Sequence, residues 1–148
     1  MSAFSILRAV HLLAMGLWFG GALFFAGDIR RTLARGAPHV DLLVERVDKV
    51  LRMSIIAGFL TIGTGFGMVF IMGGMKVLPI RMHVGTGLAL MALVLEVAVL
   101  GPAFAKVTRA LADQKLDDAR AAAKKLAPLV GIEHALKLAA FVTMIVRV

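Results

Sequence analysis

Four long apolar segments constrain the fold of this chain more than any other feature. Each has about 20 residues, which is the helical length needed to cross the hydrocarbon core of a bilayer. Backbone N–H and C=O groups in lipid must pair within the segment, so such segments form helices. They extend over residues 5–27, 53–73, 78–101 and 126–148. The sequence therefore predicts an all-α, integral membrane, antiparallel four-helix bundle as a single domain over residues 1–148.

The composition agrees with this interpretation. Hydrophobic residues make up 60% of the chain, whereas soluble domains are about half apolar. Cysteine is absent, which excludes disulfides, thiolate metal sites and cysteine nucleophiles. The net charge of +8 would suggest nucleic acid in a soluble protein, but membrane topology explains it better here. The expected surroundings are the lipid bilayer, with no nucleic acid partner.

Lysine and arginine are concentrated in two of the three connections between the apolar segments. The first connection holds Arg30, Arg31, Arg35, Arg46, Lys49 and Arg52, and the third holds Lys106, Arg109, Lys115, Arg120, Lys124 and Lys125. Cytoplasmic loops carry an excess of such residues. We therefore expect a multi-pass protein of the bacterial inner membrane, with both basic connections in the cytoplasm and both termini extracytoplasmic.

The connections themselves contain recognisable helix breaks. Gly36–Pro38 predicts the end of the first helix, and Asp41 is a favourable N-cap for the next. A turn is expected near Asp113–Asp117, and a tight link at Gly73–Pro79 on the outer side. The resulting layout is two helical hairpins that extend into the cytoplasm.

Three histidines lie in the apolar segments, where an imidazole needs a partner. His11 in the first segment and His83 in the third are predicted at similar depth near the outer face, and His134 lies in the inner third of the fourth. Two imidazoles on different helices at matching depth can supply both axial ligands of a haem. The sequence thus predicts one haem b site with His11 and His83 as iron ligands.

Several neighbouring residues are candidates for contacting such a cofactor. An arginine near the outer face can pair with a propionate, and glycines after a histidine leave room for a flat macrocycle. A tryptophan in the first segment is expected to pack against the cofactor or a neighbouring helix. The arginines are Arg8 and Arg81, the glycines are Gly85 and Gly87, and the tryptophan is Trp18.

Copper is the alternative ligand. Thioether and imidazole groups together suit Cu(I), and four methionines gather near the outer end of the second and third segments, close to His83. They are Met68, Met72, Met75 and Met82. His134 is a weaker metal-ligand candidate. A third interpretation is a non-catalytic accessory subunit, in which each histidine only bonds to a neighbouring helix.

The inner half of the bundle has its own polar residues. Glu96 lies near the predicted depth of His134, with Lys137 on the same helix face and Glu133 beside it. An unpaired charge at that depth is costly, so a Glu96–Lys137 or Glu96–His134 pair is predicted. The set is either an inter-helix salt bridge or, using His134, a proton route or second ligand position.

The second segment carries a stripe of small, polar and sulfur-bearing residues expected to face a shared pocket. Its members are Ser54, Gly58, Thr61, Gly65, Met68 and Met72. The spacings Gly16–Gly20 and Gly63–Gly67 are typical of close helix packing, within the bundle or in a homodimer.

The string RAVH at Arg8–His11, followed by GLWFGG at Gly16–Gly21, resembles the first helix of the CopD-like and HemJ-like small membrane proteins. In those families a first-helix histidine is followed by a W-x-G-G or W-x-G pattern. The resemblance implies copper handling, haem b binding or protoporphyrinogen oxidation, and it carries over His11. His134 and Lys137 are similar to later histidine and lysine positions of the HemJ-like proteins. We therefore expect a haem b redox or electron-transfer protein that works with a redox partner or quinone.

Overall fold

All regular secondary structure in the described part of the chain is helical. The computed structural model describes residues 2–21, 24–36, 39–40 and 42–146. Its α-helices are α1 (Ala3–Gly20), α2 (Phe25–Arg35), α3 (Leu43–Ile71), α4 (Ile80–Leu95), α5 (Gly101–Ala112) and α6 (Leu116–Ile145). Four helical stretches are long and apolar enough to cross a membrane: Ala3–Arg35, Leu43–Ile71, Ile80–Ala112 and Leu116–Ile145. The predicted all-α membrane four-helix bundle is confirmed.

The helices are longer than the apolar segments that the sequence marks out. Helix α6 has 30 residues, or about 45 Å at the α-helical rise of about 1.5 Å per residue. The hydrocarbon core is only about 30 Å thick, so the helices project well beyond it. The helical turns that extend beyond the core carry the basic residues of the two connections, and they lie at one end of the bundle. We call this end, with the turn at Asp113–Lys115, the turn end, and the opposite end, with the segment Met72–Pro79, the link end.

At the turn end, the helix breaks lie close to where the sequence places them. Helix α2 ends at Arg35, and Gly36 follows with φ of 70°, a left-handed conformation that favours glycine. Ala37, Pro38 and the predicted cap Asp41 lie outside the described residues. Helix α5 ends at Ala112, α6 begins at Leu116, and the predicted turn between them is confirmed.

At the link end, two glycines reverse the chain. Gly73 and Gly74 have φ of 104° and 94°, values at which a side chain would be strained. A short 3₁₀ turn, Met75–Val77, follows them, and Pro79 forms the N-cap of α4. The left-handed backbone favours glycine at both positions. Since the chain reverses between Met72 and Pro79, the tight link predicted from the sequence is confirmed.

The bundle consists of two hairpins, each with extensive internal packing. Helix α1 packs along α3, and α4 packs along α6, whereas contacts between the two hairpins are fewer. Two hydrophobic clusters fill the interior. The turn-end cluster is Phe25, Ile29, Leu33, Leu43, Val47, Leu100, Phe104, Val107, Ala119, Leu126 and Val130. The middle cluster is Trp18, Ala57, Ala89, Ala92, Leu93 and Ala140.

The link end is packed differently. Beyond the level of Ala14, Thr61, Ala89 and Ala140, Gly85 is the only described residue that is buried. The other described side chains at this end are half-buried or exposed. The two hairpins are thus joined by the middle and turn-end clusters, and the link end contributes little to their packing.

The third span contains an irregular turn beside Pro102. Residues Glu96–Leu100 form a π-helical turn, and Gly101 N–H bonds to the Glu96 carbonyl, five residues back. Proline has no N–H, and its ring clashes with the carbonyl four residues earlier. The wider turn relieves this clash, and π turns of this kind are often found at functional sites. Here it begins at Glu96.

Glycine at position 58 allows the two hairpins to approach. A Cβ there would lie 2.9 Å from both Trp18 Nε1 and Leu93 Cδ1, whereas a Cβ on Gly63 of the same helix would meet nothing within 4 Å. We expect Gly58→Ala to lower the free energy of unfolding by about 1–3 kcal/mol through overpacking. Gly63→Ala should leave it unchanged or raise it by up to about 1 kcal/mol.

Thermal or denaturant unfolding of both variants in detergent measures the difference. Equal stability of the two variants would show that Trp18 does not pack against α3 as described.

Candidate functional site

Three ionisable side chains are buried together in the middle of the bundle. Lys137 and Glu133 lie one turn apart on α6, and each side chain is 2% exposed. Glu96, at the start of the π turn, has a side chain that is 4% exposed. Burying unpaired charges costs several kcal/mol each, so the three groups must compensate one another.

Lys137 is the centre of this cluster. Its ammonium group contacts Glu133 Oε1 directly and lies 3.6 Å from Glu96 Oε2. It also donates a hydrogen bond of 3.0 Å to the Trp18 carbonyl and lies 4.6 Å from the centre of the Trp18 ring. This last arrangement is a cation–π contact. The ammonium therefore holds α6 to both α1 and the third span.

Trp18 completes the connection between the hairpins. Its Nε1–H donates to Glu96 Oε2 at 2.6 Å, and its ring is almost fully buried in the middle cluster. Indole N–H groups usually find an acceptor when buried, and the Glu96 carboxyl supplies it here. Trp18 thus both packs and takes part in the polar cluster.

His134 lies at the edge of the cluster on α6. Its Nδ1 is 2.9 Å from the Val130 carbonyl and 3.0 Å from Glu133 Oε2. Both partners are acceptors, so Nδ1 carries the hydrogen and donates it. Nε2 is buried and bonds to no described residue. His134 therefore belongs to the buried cluster of Glu133, Lys137 and Glu96, and it does not lie with His11 and His83.

A small cavity borders the two carboxylates. It offers about 20 Å³ to the centre of a water molecule, and Ser54, Glu96 and Glu133 supply its polar lining. The remaining lining is apolar: Phe25, Val50, Leu51, Leu100, Phe104 and Val130. Ser54 is 4% exposed, and its hydroxyl has no hydrogen-bond partner among the described residues. A cavity of this size has room for one water.

A larger apolar groove adjoins this cavity. It lies between α1 and α3, has a volume of about 220 Å³, and shares Val50 and Ser54 with the cavity. Its exposed lining includes Leu17, Met53 and Ile56. The groove therefore faces outward from the bundle, toward the surrounding lipid.

The sequence predicted part of this site. The predicted Glu96–Lys137 pairing is confirmed, while Glu133 contacts both Lys137 and His134 and has a larger part than its sequence position indicated. The spacing of four residues between Glu133 and Lys137 was the available signal, since such pairs meet on a helix. The bond from Trp18 to Glu96 had no signal in the sequence.

His11 lies toward the link end and is held by α3. Its Nδ1 is 2.9 Å from the Thr61 carbonyl and 3.2 Å from the Thr64 hydroxyl. Because the carbonyl accepts, Nδ1 carries the hydrogen, and Nε2 of the neutral ring keeps its lone pair. A Cβ on Gly65 would come within 3.3 Å of the ring. This is the arrangement usual for metal-ligating histidines, with the second nitrogen fixed by a carbonyl.

His83 and the two arginines surround the same end of the bundle. His83 and Arg81 on α4 are half-buried, whereas Arg8 is exposed. The Arg81 Nε is buried and donates to no described residue. Gly87 is exposed with open space beside it, but a Cβ on Gly85 would lie 2.9 Å from Thr143 Oγ1 and closer still to Met144. Gly85 therefore serves packing against α6, not room for a macrocycle.

The depths of His11 and His83 can be compared through Gly58, which meets both Trp18 and Leu93. His11 is seven residues from Trp18, or about 10 Å at about 1.5 Å per residue, and His83 is ten residues from Leu93, or about 15 Å. His83 thus lies about one turn nearer to the link end. The two histidines belong to different hairpins.

The other predicted ligands are spread over the link end. Met68 and Met82 are half-buried, whereas Met72 and Met75 are exposed. Within the described residues, no group of three or more His, Cys, Asp or Glu side chains could hold a metal ion. Gly16, Gly20 and Gly63 meet no neighbouring side chain, whereas Gly67 packs against Leu7. Homodimerisation through the Gly16–Gly20 spacing stays a prediction.

Removal of the buried ammonium tests the cluster. We expect Lys137→Met to lower the free energy of unfolding by about 3–5 kcal/mol, because it removes the cation that pairs with the buried Glu133 carboxylate. Lys124→Met, on the exposed face of the same helix, is the matched control and should change stability by less than about 0.5 kcal/mol.

Both variants are compared by denaturant unfolding in detergent at neutral pH. An equal effect of the two substitutions would contradict the burial and pairing of Lys137.

Scans of protein-family models, of curated proteins and of solved structures find no match to this chain. What the protein does is therefore inferred from its own residues.

Proposed function

We propose that this protein is a membrane-embedded redox protein that binds one haem b at the link end, with His11 and His83 as the iron ligands. The charge distribution supports a bacterial inner membrane location with the link end extracytoplasmic, since the basic residues lie at the turn end. The bound group would carry an electron between partners in or at the membrane. With both axial positions filled by imidazole, electron transfer is favoured over ligand activation.

The observation that carries this proposal is the state of His11. Its Nδ1–H is held by the Thr61 carbonyl at 2.9 Å, so the ring is fixed in orientation and its Nε2 lone pair is free. A histidine that only stabilised helix packing would need the fixed ring orientation, but it would not need a free Nε2 lone pair. Fixation of one nitrogen by a backbone acceptor makes the other a better and more rigid ligand.

Two further observations support a large ligand at this end. The Arg81 Nε is a buried donor with no described acceptor, and an anionic propionate would satisfy it. The link end also has few buried side chains of its own, although His83 and Arg81 are half-buried there. A flat apolar group held between the two hairpins would extend the middle cluster toward the link end.

The electron partner proposed is a membrane quinone. The groove between α1 and α3 is apolar, about 220 Å³ in volume, and faces outward. A quinone ring and the first part of its tail are apolar enough to occupy such a surface from the lipid.

An absorption spectrum of purified protein tests the haem proposal. The protein should show a Soret band, and both His11→Ala and His83→Ala should abolish it because each removes an axial ligand. His39→Ala is the matched control, since His39 is exposed in a turn at the opposite end, and it should leave the band unchanged.

A colourless protein after expression with haem supplied would contradict the proposal. Metal analysis of the same sample covers the copper alternative, which predicts bound copper that is lost when Met72 and Met82 are replaced. Retention of the band in His11→Ala would remove His11 as the ligand.

A further inference from the structure

The buried cluster has an unequal number of charges. Within the described residues it contains two carboxylates, Glu96 and Glu133, and one ammonium, Lys137. Trp18 from α1 and Ser54 from α3 contribute only neutral groups, and the turn-end residues beside the cavity are apolar. Among the residues that the structure describes, the one remaining titratable neighbour is His134. With both carboxylates ionised and His134 neutral, the cluster would carry a net charge of −1 in the membrane interior.

A buried net charge in this environment is costly, because neither lipid nor the apolar clusters solvate it. One additional proton makes the cluster neutral. The candidates for holding it are His134, Glu133 and Glu96. The three groups differ in their hydrogen-bond partners, and those partners decide between them.

His134 is a poor place for the proton. Nδ1 already carries a hydrogen, so the second proton would sit on Nε2, which is buried and meets no described acceptor. A buried N–H without an acceptor costs about 1–3 kcal/mol. Glu133 is also a poor place, because it contacts the Lys137 ammonium directly and receives the His134 N–H. Two donors on one carboxylate favour its ionised form.

Glu96 is the group that remains. It receives one N–H, from Trp18 at 2.6 Å, and Lys137 is more distant at 3.6 Å. It also borders the cavity where the buried Ser54 hydroxyl has no described partner. A protonated carboxyl has an O–H to donate, and one water in the cavity would receive that hydrogen and bond to Ser54.

We propose that Glu96 and the cavity beside Ser54 form a proton-binding site, in which Glu96 holds one exchangeable proton at neutral pH and a single water links it to Ser54. Lys137 and Glu133 form the permanent ion pair beside it. The site does not depend on the cofactor proposed for the link end.

Infrared spectroscopy of the protein in lipid measures this directly, because a protonated carboxyl has a C=O stretch distinct from that of a carboxylate. At neutral pH the wild type should show the band of one protonated carboxyl, and Glu96→Gln should abolish it. Glu133→Gln should abolish it as well, although Glu96 is intact, because Lys137 then requires Glu96 as its anion. Lys137→Met should double it.

The matched control is Glu45→Gln, an exposed glutamate on α3, which should leave the band unchanged. Ser54→Ala should shift the frequency of the band by weakening the hydrogen bonding of the carboxyl. Absence of a protonated carboxyl in the wild type, or its persistence in Glu96→Gln, would overturn the proposal. The first of these two outcomes is measured on the wild type and does not depend on whether a variant folds.

Discussion

The fold depends on one buried polar group in an apolar bundle. This group is the Lys137 ammonium, which contacts Glu133, Glu96 and the Trp18 carbonyl. Apolar packing gives little directional preference between helices in lipid, because the lipid tails are as apolar as the side chains. A buried charge is different, since it can be satisfied in few arrangements. The cluster therefore specifies how α1, α6 and the third span are oriented around one another.

The helix packing around Gly58, the π turn and the two ends of the bundle is consistent with the central position of the Lys137 cluster. Gly58 lets the Trp18 ring approach α3 closely, and the indole N–H donates to Glu96. The π turn that begins at Glu96 accommodates Pro102. It lies in the part of the third span from which the Glu96 side chain extends into the bundle interior. Toward the turn end the interior is filled by apolar side chains. Toward the link end it is sparsely filled, and the two outer histidines lie there. The bundle thus has a polar middle between two different ends.

The sequence predicted the framework more completely than the site. Segment length and charge asymmetry are strong signals, and the four spans, the glycine link and the turn after Ala112 follow from them. The cost of an unpaired charge predicted that Glu96 pairs with Lys137 or with His134, and the structure shows the pair with Lys137. The bond from Trp18 to Glu96 was not predictable in this way, because it depends on how two helices are rotated about their axes. The room expected beside Gly85 was wrong for the same reason, since that face packs against Thr143 and Met144.

The central claim is that the buried cluster of Lys137, Glu133, Glu96 and Trp18 joins the two hairpins, and a double-mutant cycle on its Trp18–Glu96 bond measures it most directly. Trp18→Phe removes the N–H donor and Glu96→Leu removes the acceptor, each with a side chain of apolar character. The unfolding free energies of the two single variants and the double variant give their coupling. A coupling of about 1–3 kcal/mol is predicted for a buried hydrogen bond to a carboxyl group. Additive effects, with no coupling, would contradict the account.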